Sequence, residues 1–391
     1  MNAHLLTGVA AGLGVLTLPG TVELAALTVA GLLPRRARTK VGDVRRIKKL
    51  AVVVPAHDEA TLIGRCLCSI ATCVRPDSAE TAVVVVADNC TDATACIASD
   101  AGARVLVRSD PAQRGKGFAL QFAFQRLLEE RYDAVLVIDA DSIVEPNLLV
   151  EAIELFNKGA DGVQTRYTVL NCDASTRTRL LNIALMAVNV LRARGRSRMG
   201  LSVGIFGNGF GLSKETLETI PYDTHSVVED LEYHLRVVYA GRKIAFANGT
   251  CVRSDMPTGG PGTSTQRARW EGGRLGVALQ ELPGLARGLA GGSRQLLEPL
   301  LDLGTLPLAF HVLLLGMLVL VPYPIARAYA LGALLVVAVH VAGGIVVGGG
   351  DWRDLLALMR VPFYIIWKLT VVPSILQSAR KRSPWIRTRR Q

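Results

Sequence analysis

The sequence predicts an α/β domain with a mostly parallel sheet, set between transmembrane helices at the N- and C-terminal ends. Short apolar runs rich in β-branched residues alternate with stretches of helical period between Leu50 and about Leu275, the pattern of a sheet covered by helices on both faces. Apolar stretches of membrane length flank that region. Charge agrees with this layout. Half of the 391 residues are apolar, with 44 Lys and Arg against 33 Asp and Glu, which excludes a disordered or coiled-coil chain. Arg35, Arg36, Arg38, Lys40, Arg45, Arg46, Lys48 and Lys49 follow the first apolar stretch, and Arg380, Lys381, Arg382, Arg387, Arg389 and Arg390 close the chain. Without these fourteen and Asp43, thirty bases face 32 acids. The net charge of +11 therefore describes two clusters suited to membrane lipids and to a cytoplasmic position, and no nucleic-acid partner is expected.

Taken in order, Leu5 to Leu33 is apolar except for Glu23 and lacks a cleavage signature, so residues 1–34 read as a retained transmembrane helix and 35–49 as a basic juxtamembrane linker. The basic flank puts the N-terminus outside and the rest in the cytoplasm, with Glu23 either near an interface or packed on another helix. Leu50 to Val54, Ala82 to Ala87, Arg104 to Val107 and Ala134 to Ile138 read as strands buried on both faces, within a domain of residues 50–290. Residues 291–304 read as an interfacial helix. Thr305 to Val321 and Ile325 to Val347 read as a transmembrane hairpin within 305–349. In 350–391, Arg360, Pro362, Lys368 and Pro373 interrupt the apolar character, so Leu355 to Ser378 reads as interfacial or re-entrant ahead of a basic tail. Gly259 to Ser264 reads as a mobile loop. The seven cysteines form no Cys-x-x-Cys pair and no zinc spacing, and read as reduced thiols.

Four groups of residues carry chemistry. Asp139-Ala140-Asp141 follows an apolar strand, so two carboxylates emerge at one sheet edge, where a hard divalent ion or an ordinary turn would account for them. Arg114-Gly115-Lys116-Gly117 opens a helical stretch and suits phosphate, or is a turn with two solvated cations. Glu229 and Asp230 precede the helical stretch from Leu231; the helix dipole would hold Asp230 ionised as a general base, or the acids merely stabilise a first turn. Nearby His234 reads as packed. Gln266, Arg267, Arg269 and Trp270 begin a helix leading back to the apolar segments, where Arg269 suits phosphate and Trp270 a sugar face, or both meet lipid headgroups.

The ordered set resembles the membrane-bound members of glycosyltransferase family 2, the inverting GT-A enzymes that include cellulose, hyaluronan and poly-N-acetylglucosamine synthases. It comprises Val54 to Glu59, Asp88 to Asp92, Arg114 to Gly117, Asp139-Ala140-Asp141, Phe206 to Gly209, Glu229-Asp230 and the Gln-x-x-Arg-Trp spacing at 266–270. The resemblance runs from about Leu50 to Trp270. It implies that Pro55, Ala56, Glu59, Asp88, Lys116, Asp139, Gln266 and Arg269 bind a nucleotide-diphosphate sugar, with UDP favoured. Asp139 and Asp141 would hold Mn2+ or Mg2+, Asp230 would deprotonate the acceptor, and Glu229 and Trp270 would bind it. Two positions depart from the pattern: Ala87-Asp88-Asn89 stands where many relatives have Asp-Asp-Gly, leaving one acid, and Val228-Glu229-Asp230 where processive synthases have Thr-Glu-Asp. The resemblance implies a bacterial inner-membrane enzyme adding a sugar to a lipid-linked acceptor such as a polyprenyl-diphosphate glycan, or to a polysaccharide, with other envelope-glycan assembly proteins as further partners. A processive β-polysaccharide synthase and a catalytically silent scaffold that binds nucleotide sugar are the alternatives.

Overall fold

The computed structural model describes residues 3–34, 46–224, 226–259 and 261–380. Most of the two basic clusters, 35–45 and 381–391, lies outside the described residues. The chain divides into an α/β unit (Arg35–Thr178, Ser202–Gly262 and Arg382–Gln391) and a helical unit (Met1–Pro34, Arg179–Leu201 and Thr263–Lys381).

In the α/β unit, strands β1 (Lys49–Ala56), β2 (Glu80–Asp88), β3 (Arg104–Arg108), β4 (Ala134–Val137), β5 (Ser142–Val144), β6 (Gly162–Val169), β7 (Phe210–Ser213) and β8 (Ile244–Ser254) form one sheet in the order β3-β2-β1-β4-β7-β6-β8-β5. The first half is parallel, with β1 central between β2 and β4. Beyond β4 the sheet is mixed: β7 runs antiparallel to β4 and β6, β5 runs antiparallel to β8, and β6 pairs in parallel with β8, so four of the seven ladders are parallel, as the sequence predicts. Leu50, Val52, Val54, Val85 and Leu136 fill a core closed by Ile63, Leu67 and Ile70 of helix Ile63–Ala71 and by Leu148, Ile153 and Phe156 of helix Leu148–Asn157. Strand β3 departs from expectation. It is one edge of the sheet, and Val107 is 68% exposed rather than buried.

Register, more than composition, builds the functional edge. Ala56 pairs with Ala87 and Val53 with Val137, so the segments after β1, β2 and β4 leave the sheet on the same side. Phe210 pairs with Val137 in the antiparallel β4–β7 ladder, which sets Phe206–Gly209 beside the residues that follow β4.

The helical unit contains three helices long and apolar enough to cross a membrane by length and composition: Leu6–Leu32, Pro324–Gly348 and Trp352–Ala379. Glu23 is packed rather than interfacial: its carboxylate takes Arg192 Nη2 at 2.5 Å. The expected hairpin is altered. Helix Leu308–Leu320 has 13 residues, about 20 Å against a hydrocarbon core of about 30 Å. It meets Arg294–Gly304 at a bend of 71°, a pair that could together form one broken span. The segment expected to be interrupted is instead continuous helix over Val361–Arg380 with Pro373 inside it. Residue 260 lies outside the described residues and helix Pro261–Ala290 begins within the stretch expected to be a loop.

Leu136 is fully buried in the central core. Leu136→Ala is expected to lower the stability of the α/β unit by about 2–5 kcal/mol, read as an earlier unfolding transition in detergent solution.

Candidate active site

The site on the α/β unit grows from the three strand ends. After β1, Glu59 accepts from Leu62 and Ile63 through its carbonyl and starts helix Ile63–Ala71, while its own N–H is taken by Thr94 Oγ1. After β2, Asn89 adopts a left-handed backbone, as does Asp58 after β1, at φ 49° and 52°. The two turns are tied together: Thr91 N donates to Asp58 Oδ1 at 2.7 Å, and Ala60 N to Asp92 Oδ2 at 3.1 Å. These acids serve as loop latches, satisfying backbone donors that would otherwise be orphaned.

Asp88 is 5% exposed and pairs in register with Arg108 on β3. The pairing becomes an ion pair, Arg108 Nη1 to Asp88 Oδ1 at 2.7 Å, and Asn89 Nδ2 donates to the same oxygen. His57 Nδ1 reaches the Asp88 carbonyl at 2.8 Å. Pro55 and Ala56, the end of β1, lie directly beside Val86 and Ala87.

Asp139 is the hub. Its N–H donates to Asn208 Oδ1 at 3.0 Å, and Asn208 Nδ2 donates to Ser142 Oγ and Ser254 Oγ, which also contact each other at 2.7 Å. Asp139 Oδ1 takes the ammonium of Lys116, at the start of helix Lys116–Glu129, and the same ammonium donates to the Gly207 carbonyl. Gly207 has φ 77°, and a Cβ there would lie 3.0 Å from Asp230 Oδ2, so the glycine lets the Asp230 carboxylate approach the loop. Lys116 therefore links the acidic turn to the loop against which the Asp230 carboxylate lies. Burial works to lower its pKa, but Asp139, Glu229 and Asp230 outweigh burial and hold it above its ordinary value.

Glu229 and Asp230 form the first turn of helix Glu229–Tyr239 rather than preceding it. Leu231 N donates to Asp230 Oδ1 at 2.9 Å, the interaction expected of a helix N-terminus. This bond favours the ionised form of Asp230, as expected, but burial opposes it. Burial dominates and raises the pKa of both acids, with their mutual repulsion adding to Glu229, which is pushed up to about 8. His234 is packed as expected, its Nε2 2.9 Å from Ser202 Oγ.

Asp141 is 7% exposed and accepts from Ser142 Oγ at 3.2 Å. Burial, then the charges of Asp141 and Asp139, push the Cys66 thiol up to about 12, and the same three causes raise the Tyr167 phenol. The charges of the two acids thus add to burial at two neighbouring side chains, and a pair of carboxylates at a strand end is an environment that a hard cation fits. Such an ion can be held by one or two carboxylates with substrate oxygens completing its shell. Among the described residues, the three-ligand clusters are instead Asp58–Cys90–Asp92 and Glu23–Glu298–Asp302. The first is engaged by the backbone latches above, and the second is paired with arginines.

One set of site residues escaped the sequence reading. Helix Ile63–Ala71 lies along the acidic turn: Cys66 Sγ donates to the Asp139 carbonyl, Arg65 Nη2 to the Asp141 carbonyl at 3.2 Å, and Ser69 Oγ accepts from Val144 N at 3.3 Å. Arg65 also pairs with Asp255 at 2.6 Å. In sequence these residues look like the polar side of an amphipathic helix, and only register shows what they meet. Arg269 and Trp270, both half-buried, belong to the helical unit on helix Pro261–Ala290; the Gln266 side chain lies outside the described residues.

A sheet of this order, with an Asp-x-Asp turn at its carboxyl edge and an acidic helix start beside it, defines the GT-A class of nucleotide-diphospho-sugar transferase folds. Residues 48–273 match the family described as "Glycosyltransferase like family 2", and the chain belongs to that family. It is 26% identical over 250 residues to a probable glycosyltransferase, YdaM, of Bacillus subtilis, covering 61% of this chain and 58% of that protein. It is 24% identical over 234 residues to a probable glucomannan 4-beta-mannosyltransferase of Arabidopsis thaliana, covering 57% and 42%. The matches thus span less than two thirds of these relatives. A solved structure, a mannosyltransferase of Pyrobaculum calidifontis in complex with GDP-Man and Mn2+, shares the fold over 96% of both chains, with a TM-score of 0.55 and 17% identity.

The raised pKa of Glu229 gives a pH dependence. Between the ordinary glutamate range and about 8, the folded state holds a proton that the unfolded chain has lost, so this group's contribution to stability is fully present at acid pH and is lost as pH rises toward 8. The expected result is that Glu229→Gln flattens the fall of melting temperature between pH 5 and 8, roughly the interval between the two pKa values, relative to wild type.

Proposed function

We propose that the protein is a membrane-bound inverting glycosyltransferase that moves a sugar from a nucleotide-diphosphate donor to a membrane-associated acceptor. The observation that carries the reading is the Lys116 junction, which links the metal-side acid Asp139 to Gly207, against which the Asp230 carboxylate lies. Asp139 and Asp141 would hold Mn2+ or Mg2+, which when bound offsets the charge of the donor diphosphate. Asp230, once ionised, accepts the proton of the attacking acceptor hydroxyl. Burial supports that role, since a carboxylate with a raised pKa is a stronger base. Glu229 keeps a proton nearby and moderates the repulsion between the two acids. A single base and no enzyme nucleophile give inversion, so an α-linked donor yields a β-glycoside. Gln266 and Arg269 are assigned to the diphosphate and Trp270 to the acceptor sugar on the support of the Gln-x-x-Arg-Trp spacing.

The membrane reading gains support from the helical unit. Pro324–Gly348 and Trp352–Ala379 are two candidate spans after the catalytic region, an even number that returns the basic tail to the cytoplasmic side. This replaces the hairpin expected from sequence and leaves Leu308–Leu320 as the re-entrant piece. With three candidate spans among the described residues, we favour addition of a single sugar. A UDP-sugar is the first choice of donor. GDP-mannose belongs on the panel because two similar proteins are named as mannosyltransferases and because Asp88 alone stands where relatives carry two acids.

The full-length protein in detergent with Mn2+, a panel of labelled sugar nucleotides and lipid-linked acceptors is expected to release nucleoside diphosphate and transfer one sugar per acceptor. Asp230→Asn is expected to lower transfer at least about a hundredfold while nucleotide affinity stays within about twofold. Equal loss of both would remove Asp230 as the base, and tight binding without turnover across the panel would favour the scaffold.

A further inference from the structure

We propose that helix Val361–Arg380 is the platform that positions the Arg269–Trp270 segment, with the Glu271–Lys368 ion pair fixing its register. The proposal rests on the transfer reading above, which gives that segment its role. Both helices belong to the helical unit. Tyr364, Lys368, Val371, Ile375 and Ser378 recur every three to four residues along one face of the later helix, and each meets the start of the Pro261–Ala290 helix. The Arg267 guanidinium lies 5.3 Å from the centre of the Tyr364 ring. Glu271 Oε1 receives Arg267 at 3.1 Å and Lys368 at 3.0 Å. Ala268 is buried with Val371 and Ile375. A Cβ on Gly272 would lie 2.8 Å from the Ile375 carbonyl oxygen and 2.6 Å from Ser378 Cβ, so the two backbones approach as closely as a glycine allows.

Arg269 and Trp270 sit inside this clasp, flanked by residues 267, 268, 271 and 272, so a shift or rotation of the helix start must carry them with it. Lys368 is 3% exposed and also covers the Phe310 ring at 4.7 Å. A buried ammonium in an apolar helix is tolerated only when paired, and Glu271 is its carboxylate. The lysine that made this segment look interrupted in sequence is thus the contact that ties it to the motif helix. The last helix is accordingly a positioning element, and Glu271 and Lys368 are positioning residues rather than catalytic ones.

The test uses the full chain in detergent with the donor and acceptor that the wild type turns over. Lys368→Met and Glu271→Gln are each expected to lower kcat about ten- to hundredfold; Glu271→Gln, which leaves the Lys368 ammonium buried without its carboxylate, is also expected to lower the melting temperature. Lys368→Arg, and the exchange of both charges (Glu271→Lys with Lys368→Glu), are expected to recover most of the loss. A second readout does not require turnover. The emission of Trp270, taken as the difference from a Trp270→Phe background, should shift in Lys368→Met and return in Lys368→Arg. Should Lys368→Met fail to fold, Glu271→Asp, which keeps the charge but shortens the reach, is expected to lower kcat at an unchanged melting temperature. Wild-type kcat together with unshifted Trp270 emission in Lys368→Met, wild-type kcat in Glu271→Asp, or a charge exchange no better than either single change would overturn the proposal. A wild type inactive with every donor would remove the transfer reading and leave the emission test to decide this one.

Discussion

The arrangement depends on one cation held among carboxylates. Lys116 meets Asp139 and the Gly207 carbonyl while feeling Glu229 and Asp230, and so joins three acidic groups that would otherwise repel one another across a poorly hydrated space. One ammonium does not balance them. Burial, with the neighbouring acidic charges adding to it, raises the pKa of Glu229 and Asp230, and burial followed by the charges of Asp141 and Asp139 raises those of Cys66 and Tyr167. Under the proposed function, the metal that arrives with the donor diphosphate would be a second cation at this acidic edge.

Around that junction the scaffold is rigid for identifiable reasons. Parallel register delivers three strand ends to one edge, and the antiparallel β7 returns Gly207 and Asn208 to the Asp139 turn. Asn208, Ser142 and Ser254 form a closed hydrogen-bond set beneath it. Helix Ile63–Ala71 holds the same turn from another side through Arg65 and Cys66, and holds β5 through Ser69. The acids are therefore positioned by a network whose members are neutral or already paired, which leaves the substrate-facing charges as the adjustable part.

Much of this was legible in the residues alone. The strands β1, β2 and β4, the Asp-x-Asp turn and the helix starts at Lys116 and Glu229 follow from apolar runs ending in polar tips, because local pattern and global fold agree there. What eluded the sequence required knowledge of neighbours. The edge position of β3, the duty of Arg65 and Asn208, and the raised pKa of Glu229 and Asp230 depend on what packs opposite. For the two acids, the helix N-terminus acts in the expected direction, yet desolvation is the larger effect. In the last described apolar helix, Lys368 counts as an interruption until Glu271 is seen beside it.

The most direct measurement is anomalous diffraction or metal-sensitive electron microscopy of the full chain with Mn2+ and a nucleoside diphosphate. The account places the metal at Asp139 and Asp141, with the diphosphate on its open side. A metal held instead by Asp58, Cys90 and Asp92, with the Asp-x-Asp turn bare, would contradict it.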